Sequence, residues 1–147
     1  MNEYKVTVVD RTGGAASCSL ESGAVNSYGK EYAFTVACAD DQAVLVAAKV
    51  GSKYTVLPCT TEDGVHSFSF KLTGETEIIL ALKGDVKIDG RLTTMEGTMI
   101  KRLVVGTYEI SDPLSLLLAD VDGDGEIETA DGTMVARAVI GTFTIDW

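Results

Sequence analysis

At residues 120–131 the chain reads Asp120-Val121-Asp122-Gly123-Asp124-Gly125-Glu126-Ile127-Glu128-Thr129-Ala130-Asp131. This stretch has the length and the acidic spacing of a calcium loop, which takes oxygen ligands from positions 1, 3, 5, 7, 9 and 12 and needs glycine at position 6. Those ligand positions hold Asp120, Asp122, Asp124, the carbonyl of Glu126, Glu128 (directly or through water) and Asp131. Carboxylates that converge in this way repel one another without a cation, so we predict a calcium site whose segment folds poorly in the metal-free state. An acidic surface turn is the alternative interpretation.

The same pattern occurs once more, earlier in the chain. Residues 85–99 align with residues 120–134 at an offset of 35, from Asp85 to Asp120, and about half of the aligned positions are identical. Arg102 then matches Arg137, and Gly106 matches Gly141 at the same offset. A repeat of this kind predicts two copies of one structural unit.

The first copy is a weaker match to a calcium loop. Its available ligand positions hold Asp85, Asp89, Arg91 (through its carbonyl), Thr93 and Glu96, whereas position 3 is Lys87. The Lys87 ammonium would either lean over the site and replace the ion, or swing outward and leave a looser site with carbonyl and water ligands. The sequence leaves both alternatives open for this second calcium ion.

Helical spacing of apolar residues begins after Gly84. It runs through Met95, Met99, Ile100, Leu103 and Val104, and again through Met134, Val135, Ala138 and Val139. Gly106 and Gly141 stand where left-handed C-terminal caps belong. Ser111-Asp112-Pro113 is a typical helix start, so residues 83–147 are predicted to form a small three-helix unit.

Residues 1–82 instead show the period of two that is typical of β-strands. Tyr4, Val6 and Val8 alternate with polar neighbours, and residues 43–48 form a continuous apolar run expected of a central strand. Turn residues separate the runs, including Asp40-Asp41 and a hairpin candidate at Asp63-Gly64. About seven short strands predict an antiparallel, immunoglobulin-like β-sandwich, and the whole chain is predicted to be α+β.

Composition excludes several other classes of protein. The net charge of −10, from 22 acidic and 12 basic residues, makes nucleic acid an unlikely partner. No apolar run reaches the length of a membrane helix, so we expect a soluble protein. The N-terminus lacks the pattern of a signal peptide, as an excised fragment with an added start methionine would. Three cysteines without CxxC spacing and a single histidine offer neither a zinc site nor a catalytic constellation, and we predict that the chain is not an enzyme.

The duplicated loop, each copy followed by only one helix with an arginine late in it, resembles a dockerin. Dockerins are the modules by which cellulosomal enzymes and scaffoldins bind cohesins. The resemblance covers roughly residues 80–147, and a β-sandwich placed directly before it is similar to the X-module–dockerin pairs of scaffoldins and cell-attached proteins. It implies F-hand calcium loops, an extracellular, cell-surface-associated location and a cohesin of a scaffoldin or anchoring protein as partner.

The resemblance also implies where the partner binds. Cohesin contacts carried over to this sequence fall on Thr94, Met95, Met99, Lys101 and Arg102 in the first copy and on Thr129, Ala130, Met134 and Arg137 in the second. Because the copies differ at these positions, we expect one dominant binding orientation, and we expect the β-sandwich to stabilise the dockerin. A carbohydrate-binding β-module carried by a dockerin-bearing protein is the alternative function.

Overall fold

The computed structural model describes residues 3–38 and 42–147, so the predicted Asp40-Asp41 turn lies outside the described residues. Within those ranges the chain forms nine strands and three helices, which confirms the α+β class. The strands are β1 (Glu3–Asp10), β2 (Ser17–Cys18), β3 (Ala24–Ser27), β4 (Glu31–Ala37), β5 (Val44–Val50), β6 (Lys53–Val56), β7 (Thr60–Glu62), β8 (Val65–Lys71) and β9 (Thr76–Leu82). The helices are α1 (Thr94–Val104), α2 (Pro113–Ala119) and α3 (Thr129–Val139).

The strands form two sheets packed face to face. Sheet I has the order β3-β1-β9-β5-β6, and sheet II has the order β2-β4-β8-β7. Val6, Val46 and Leu80 from sheet I share one buried cluster with Phe34 and Phe68 from sheet II, which gives the sandwich its core. Every pairing is antiparallel except that of β1 with β9, which is parallel, so the expectation of a wholly antiparallel sandwich was wrong at that pair.

The strand number also exceeds the predicted seven. The two-residue β2 and the three-residue β7 are too short to show an alternating pattern in the sequence. The hairpin prediction is confirmed: Glu62 pairs with Val65 across a two-residue turn in which Asp63 and Gly64 have φ values of 52° and 77°. Two consecutive positive φ angles are the mark of a type I′ turn, whose twist matches that of the flanking strands.

Sheet I is covered on both faces. On the face turned away from sheet II, Leu45 and Ile79 pack with Leu114 and Leu118 of α2. Strands β5 and β9 are therefore buried on both sides, which explains the unbroken apolar run at residues 43–48 and confirms the predicted central strand. The result is a three-layer arrangement in which helices, sheet I and sheet II follow one another.

Helices α1 and α3 cross at a pair of glycines that the repeat places in equivalent positions. A Cβ added to Gly97 would lie 2.7 Å from the carbonyl oxygen of Gly132, and a Cβ on Gly132 would lie 2.6 Å from that of Gly97. Ile100 and Val135 fill the core beside this crossing, where both are fully buried. The close approach therefore needs glycine in both copies.

The helix ends agree with the sequence prediction. Gly106 and Gly141 have φ values of 82° and 81°, and the amides of Thr107 and Thr142 donate to the carbonyls of Arg102 and Arg137, respectively. These are Schellman caps, formed alike in both copies. Helix α2 begins at Pro113 behind an Asp112 cap whose Oδ1 accepts from Leu114 N at 3.0 Å, as predicted.

The last residues return to the sandwich. Trp147 stacks on His66 of β8, with ring centroids 3.7 Å apart and an interplanar angle of 4°. The Lys83 ammonium donates to the Asp146 carbonyl at 2.7 Å, which fixes the same segment beside the end of β9. Across residues 3–38 and 42–147, none of the helices has both the length and the apolar character needed to span a bilayer.

Candidate functional site

The second loop, residues 120–131, is shaped by its own carboxylates. Backbone amides of Gly125, Asp124 and Glu126 donate to the side chains of Asp120, Asp122 and Asp124, at 2.9, 3.2 and 2.9 Å. Each bond joins a carboxylate to an amide two to five residues later, so the chain curls around the acidic groups. Gly125 has a φ of 91°, as the turn at position 6 requires.

Three of the predicted ligands converge in this loop. One oxygen from each of Asp120, Asp122 and Asp124 lies within 4.8 Å of the others, and Asp120 Oδ1 is buried without a hydrogen-bond partner. A buried carboxylate oxygen left without a donor is costly, and a bound cation would remove that cost. Oxygen-only ligands at this spacing fit a hard cation such as calcium.

Two further predicted ligands, Glu128 and Asp131, stand at the start of α3. Asp131 is buried and accepts from the amides of Val121 and Glu128 at 3.1 and 2.8 Å, so it ties the loop to the helix rather than joining the three-carboxylate cluster. Glu128 is exposed and is the cap residue of α3. Glu128 and Asp131 would serve as additional carboxylate ligands from the start of α3 if a cation were bound.

Electrostatics in the second loop favour a cation. Burial raises the pKa of Asp120 to about 6, and the neighbouring carboxylates of Asp122, Asp131 and Asp124 add to the rise. The charges of Asp124 and Glu126 raise the pKa of Glu128, and burial raises that of Asp131. Each carboxylate charge therefore makes ionisation of its neighbours less favourable. A bound divalent cation would instead favour the ionised forms and lower these pKa values.

The first loop, residues 85–96, forms a second cluster. Oxygens of Asp85, Asp89 and Glu96 lie within 4.8 Å of one another, and Asp85 and Glu96 are fully buried. Asp85 Oδ2 accepts from Gly90 N at 2.9 Å, and Glu96 Oε2 accepts from Thr93 N at 2.9 Å, whereas Glu96 Oε1 is buried without a partner. Burial raises the pKa of Asp85 to about 6. This loop therefore has the same unmet need for a cation.

Lys87 lies at the rim of the first loop. Its Nζ is 4.0 Å from Asp89 Oδ2, and its side chain is 45% exposed. The ammonium thus contacts the outermost carboxylate of the cluster and leaves Glu96 Oε1 without a partner. This geometry is closer to the outward-swung alternative than to an ammonium that replaces the ion. Arg91 is exposed at position 7, where its carbonyl would serve as ligand.

The predicted partner-binding residues lie on the outer faces of α1 and α3. Thr94, Met95, Lys101, Arg102, Thr129, Ala130 and Arg137 are exposed, whereas Met99 and Met134 are half-buried against the helical core. Met95 is 56% exposed, so its apolar side chain projects into solvent from the first turn of α1. Lys101 lies partly over the helix crossing, since a Cβ on Gly132 would come within 2.8 Å of Lys101 Cγ.

A groove of about 840 Å³ runs along the first copy. Its walls include Thr94, Met95, Met99 and Arg102, together with Lys87 and Tyr108. Tyr108 was not among the predicted partner contacts, although its offset of 35 from Phe143 is a signal that the two aromatic residues belong to the repeat. Both are 37% exposed and follow the Schellman caps of their helices.

The two copies present opposite charges to solvent. Lys87 and Arg91 of the first loop correspond to Asp122 and Glu126 of the second at the offset of 35. All four side chains are exposed, so a basic face of the first copy corresponds to an acidic face of the second. Sequence reasoning compared the helices of the two copies and missed this inversion in the loops.

The β-sandwich offers fewer candidate groups. Tyr32 and Phe70 stack at 5.0 Å and contact the sandwich core, while Tyr28 is 61% exposed. The side chains of Cys18, Cys38 and Cys59 are of intermediate exposure. No protein-family model, no curated protein and no solved structure matches this chain.

Proposed function

We propose that the chain is a calcium-dependent docking module of the dockerin type, which binds a cohesin-like receptor in an extracellular, cell-surface-associated complex. The single observation that carries the proposal is the pair of repeat-related loops, each with a buried carboxylate oxygen that has no hydrogen-bond donor. In this proposal the sandwich is an immunoglobulin-like X-module that supports the helical layer.

Calcium is the cofactor that best suits the ligands. Both clusters consist of carboxylates, with backbone carbonyls at position 7 and no sulfur or imidazole, and hard cations prefer such oxygen sets. The second loop supplies more carboxylates and lies open to solvent, so it would be the first site to respond to added calcium. The first loop would take the second ion with Lys87 turned away.

The receptor surface would be acidic around an apolar pocket. In a chain of net charge −10, the groove of the first copy carries the cations Lys87 and Arg102 beside the exposed Met95. A protruding methionine is suited to a pocket, and charges at the rim set orientation and association rate. The second copy has Ala130 in place of Met95 and an acidic loop, which favours one orientation of docking.

Calorimetric titration of the EDTA-stripped protein tests the metal. We expect saturable uptake of one or two calcium ions, and loss of one site in Asp120→Asn. Asp63→Asn is the matched control, because Asp63 is exposed in the β7–β8 turn and Asn tolerates its positive φ. Absence of calcium uptake by the wild-type chain would refute the proposal.

Capture by a panel of cohesins, with and without calcium, tests the partner. We expect capture only with calcium, and a loss of affinity of at least about tenfold in Arg102→Ala, because Arg102 lines the groove beside Met95 and arginine is enriched among the residues that dominate binding energy. The repeat-related Arg137→Ala is the control and is expected to change affinity little. Equal losses in both variants would refute the single orientation, and binding to insoluble polysaccharide without any cohesin capture would favour the carbohydrate-binding alternative.

A further inference from the structure

Ile88 adopts a conformation that β-branched residues avoid. Its φ of 52° lies in the left-handed region, and the repeat-related residue of the second loop is Gly123, with a φ of 71°. Such a backbone persists only when the surroundings impose it. The Ile88 side chain packs against the cluster formed by sheet I and α2. Contacts with the sandwich layer thus hold position 4 of the first loop in place.

The turn of the first loop also rests on the sandwich. A Cβ added to Gly90 would lie 3.0 Å from Gly13 N and 3.1 Å from the carbonyl carbon of Thr12. Thr12 is buried, and its amide and hydroxyl both donate to Asp10 Oδ1, which makes this turn after β1 a fixed support. The amide of Gly90 in turn donates to Asp85 Oδ2. Through this hydrogen bond, the turn after β1 helps to position Asp85, the first carboxylate of the cluster.

The second loop has no comparable support. A Cβ on Gly125, the repeat-related glycine, would meet no atom within 4 Å, and Asp122 and Asp124 are exposed. The first loop has a third tie as well, because Ser115 Oγ of α2 donates to the Val86 carbonyl at 2.9 Å. The duplicated loops therefore differ in what holds them.

We propose that the β-sandwich holds the first loop in its ion-binding conformation through Ile88 and Gly90, so that cation binding there and the stability of the β1–β2 turn are coupled. The second loop lacks this contact at its position 6 and depends on its cation and on the hydrogen bonds to its own carboxylates. This inference rests on the proposed function, in which the loops take up calcium, and on Glu96, a fully buried member of the cluster whose Oε1 has no hydrogen-bond partner. By linkage, an ion that binds a loop held by the turn stabilises that turn in return.

Hydrogen exchange of the full chain tests the coupling. With the second loop disabled by Asp120→Asn, added calcium is expected to slow amide exchange of residues 10–16 at least about tenfold, the size of a modest coupling between sites. Gly90→Ala is expected to abolish that protection and to weaken calcium binding by the first loop by at least the same factor. Gly125→Ala in the wild-type chain is the matched control, since it carries the same positive φ without the contact, and it should leave the protection intact.

Ile88→Gly keeps the proposal testable if Gly90→Ala fails to fold. Glycine occupies the repeat-related position, so this variant is expected to fold, to bind calcium less tightly at the first loop and to lose part of the protection at residues 10–16. Calcium uptake with unchanged exchange at residues 10–16 would overturn the coupling and leave the proposed function standing. No calcium uptake at all would overturn both.

Discussion

Substituting alanine for Gly97 tests the helix crossing that sets the distance between the two loops. The new Cβ would lie 2.7 Å from the Gly132 carbonyl oxygen. A carbon–oxygen contact needs about 3.3 Å, so α1 and α3 must separate by about 0.6 Å at their closest point. Because the obstructing atom belongs to a helix backbone, no side chain can rotate away to relieve the contact.

The expected cost follows from two opposing effects. Overpacking against an immobile group lies near the upper end of its range, about 3 kcal/mol, while replacing glycine by alanine within a helix returns about 1 kcal/mol. The net loss of about 2 kcal/mol corresponds to a fall in Tm of roughly 6 °C for a chain of this size. Gly132→Ala should cost a similar amount, because its Cβ meets the Gly97 carbonyl oxygen at 2.6 Å.

Thermal unfolding of both single variants and of the double variant, in saturating calcium, measures these effects. We expect the double variant to lose less than the sum of the single losses, since the first substitution has already opened the gap for the second. Thr98→Ala and Thr133→Ala, at the exposed neighbouring positions, are the controls and should stay within about 0.5 kcal/mol of wild type. An unchanged or raised Tm for Gly97→Ala, or strictly additive losses, would refute the close crossing.

Three further predictions follow from the loops and from the layer contacts. The pKa values of Asp85 and Asp120, raised to about 6 from 3.8, mean that the metal-free folded state binds more protons than the unfolded state between pH 4 and 6. The stability of the metal-free protein should therefore fall as pH rises through that window. The gain in Tm on adding calcium should be larger at pH 7 than at pH 5, and equal gains would refute the raised pKa values of the two aspartates. Ser115→Ala leaves the buried Val86 carbonyl without its donor and should cost about 1–2 kcal/mol in urea denaturation; no loss would mean that water replaces the hydroxyl. Trp147→Ala removes the stack on the imidazole of β8 and should cost about 2 kcal/mol in the same assay, whereas a fully stable variant would mean that the end segment contributes nothing to the fold.

The sequence predicted the elements whose signals are local. The caps at Gly106 and Gly141, the start of α2 at Pro113 and the hairpin at Asp63-Gly64 each depend on a residue whose backbone preference is strong by itself. The three-carboxylate cluster of the second loop was likewise predictable, because spacing alone places its aspartates around one turn. These features require no knowledge of the tertiary fold.

Features that depend on contacts between layers were not predictable in the same way. The parallel pairing of β1 with β9 joins strands about 70 residues apart, and no local pattern specifies it. The left-handed Ile88 contradicts its own residue preference, which only the packing under α2 explains. The position of the Lys87 ammonium depends on its neighbours in the folded protein. The sequence does not specify those neighbours, so it allowed two alternatives for this side chain.

The two loops share one repeated pattern of residues, and they differ in the surface that each one contacts. The first loop meets the sandwich, where Ile88 and the contact at Gly90 supply order that no ion has to provide. In the proposed calcium site, such packing would allow Lys87 at the position where the second loop has Asp122. The second loop meets solvent at Gly125 and carries an acidic residue at every side-chain position of the calcium-loop pattern. In the proposed calcium module, the weaker acidic pattern of the first loop thus coincides with a contact to the β1–β2 turn that Gly125 of the second loop lacks.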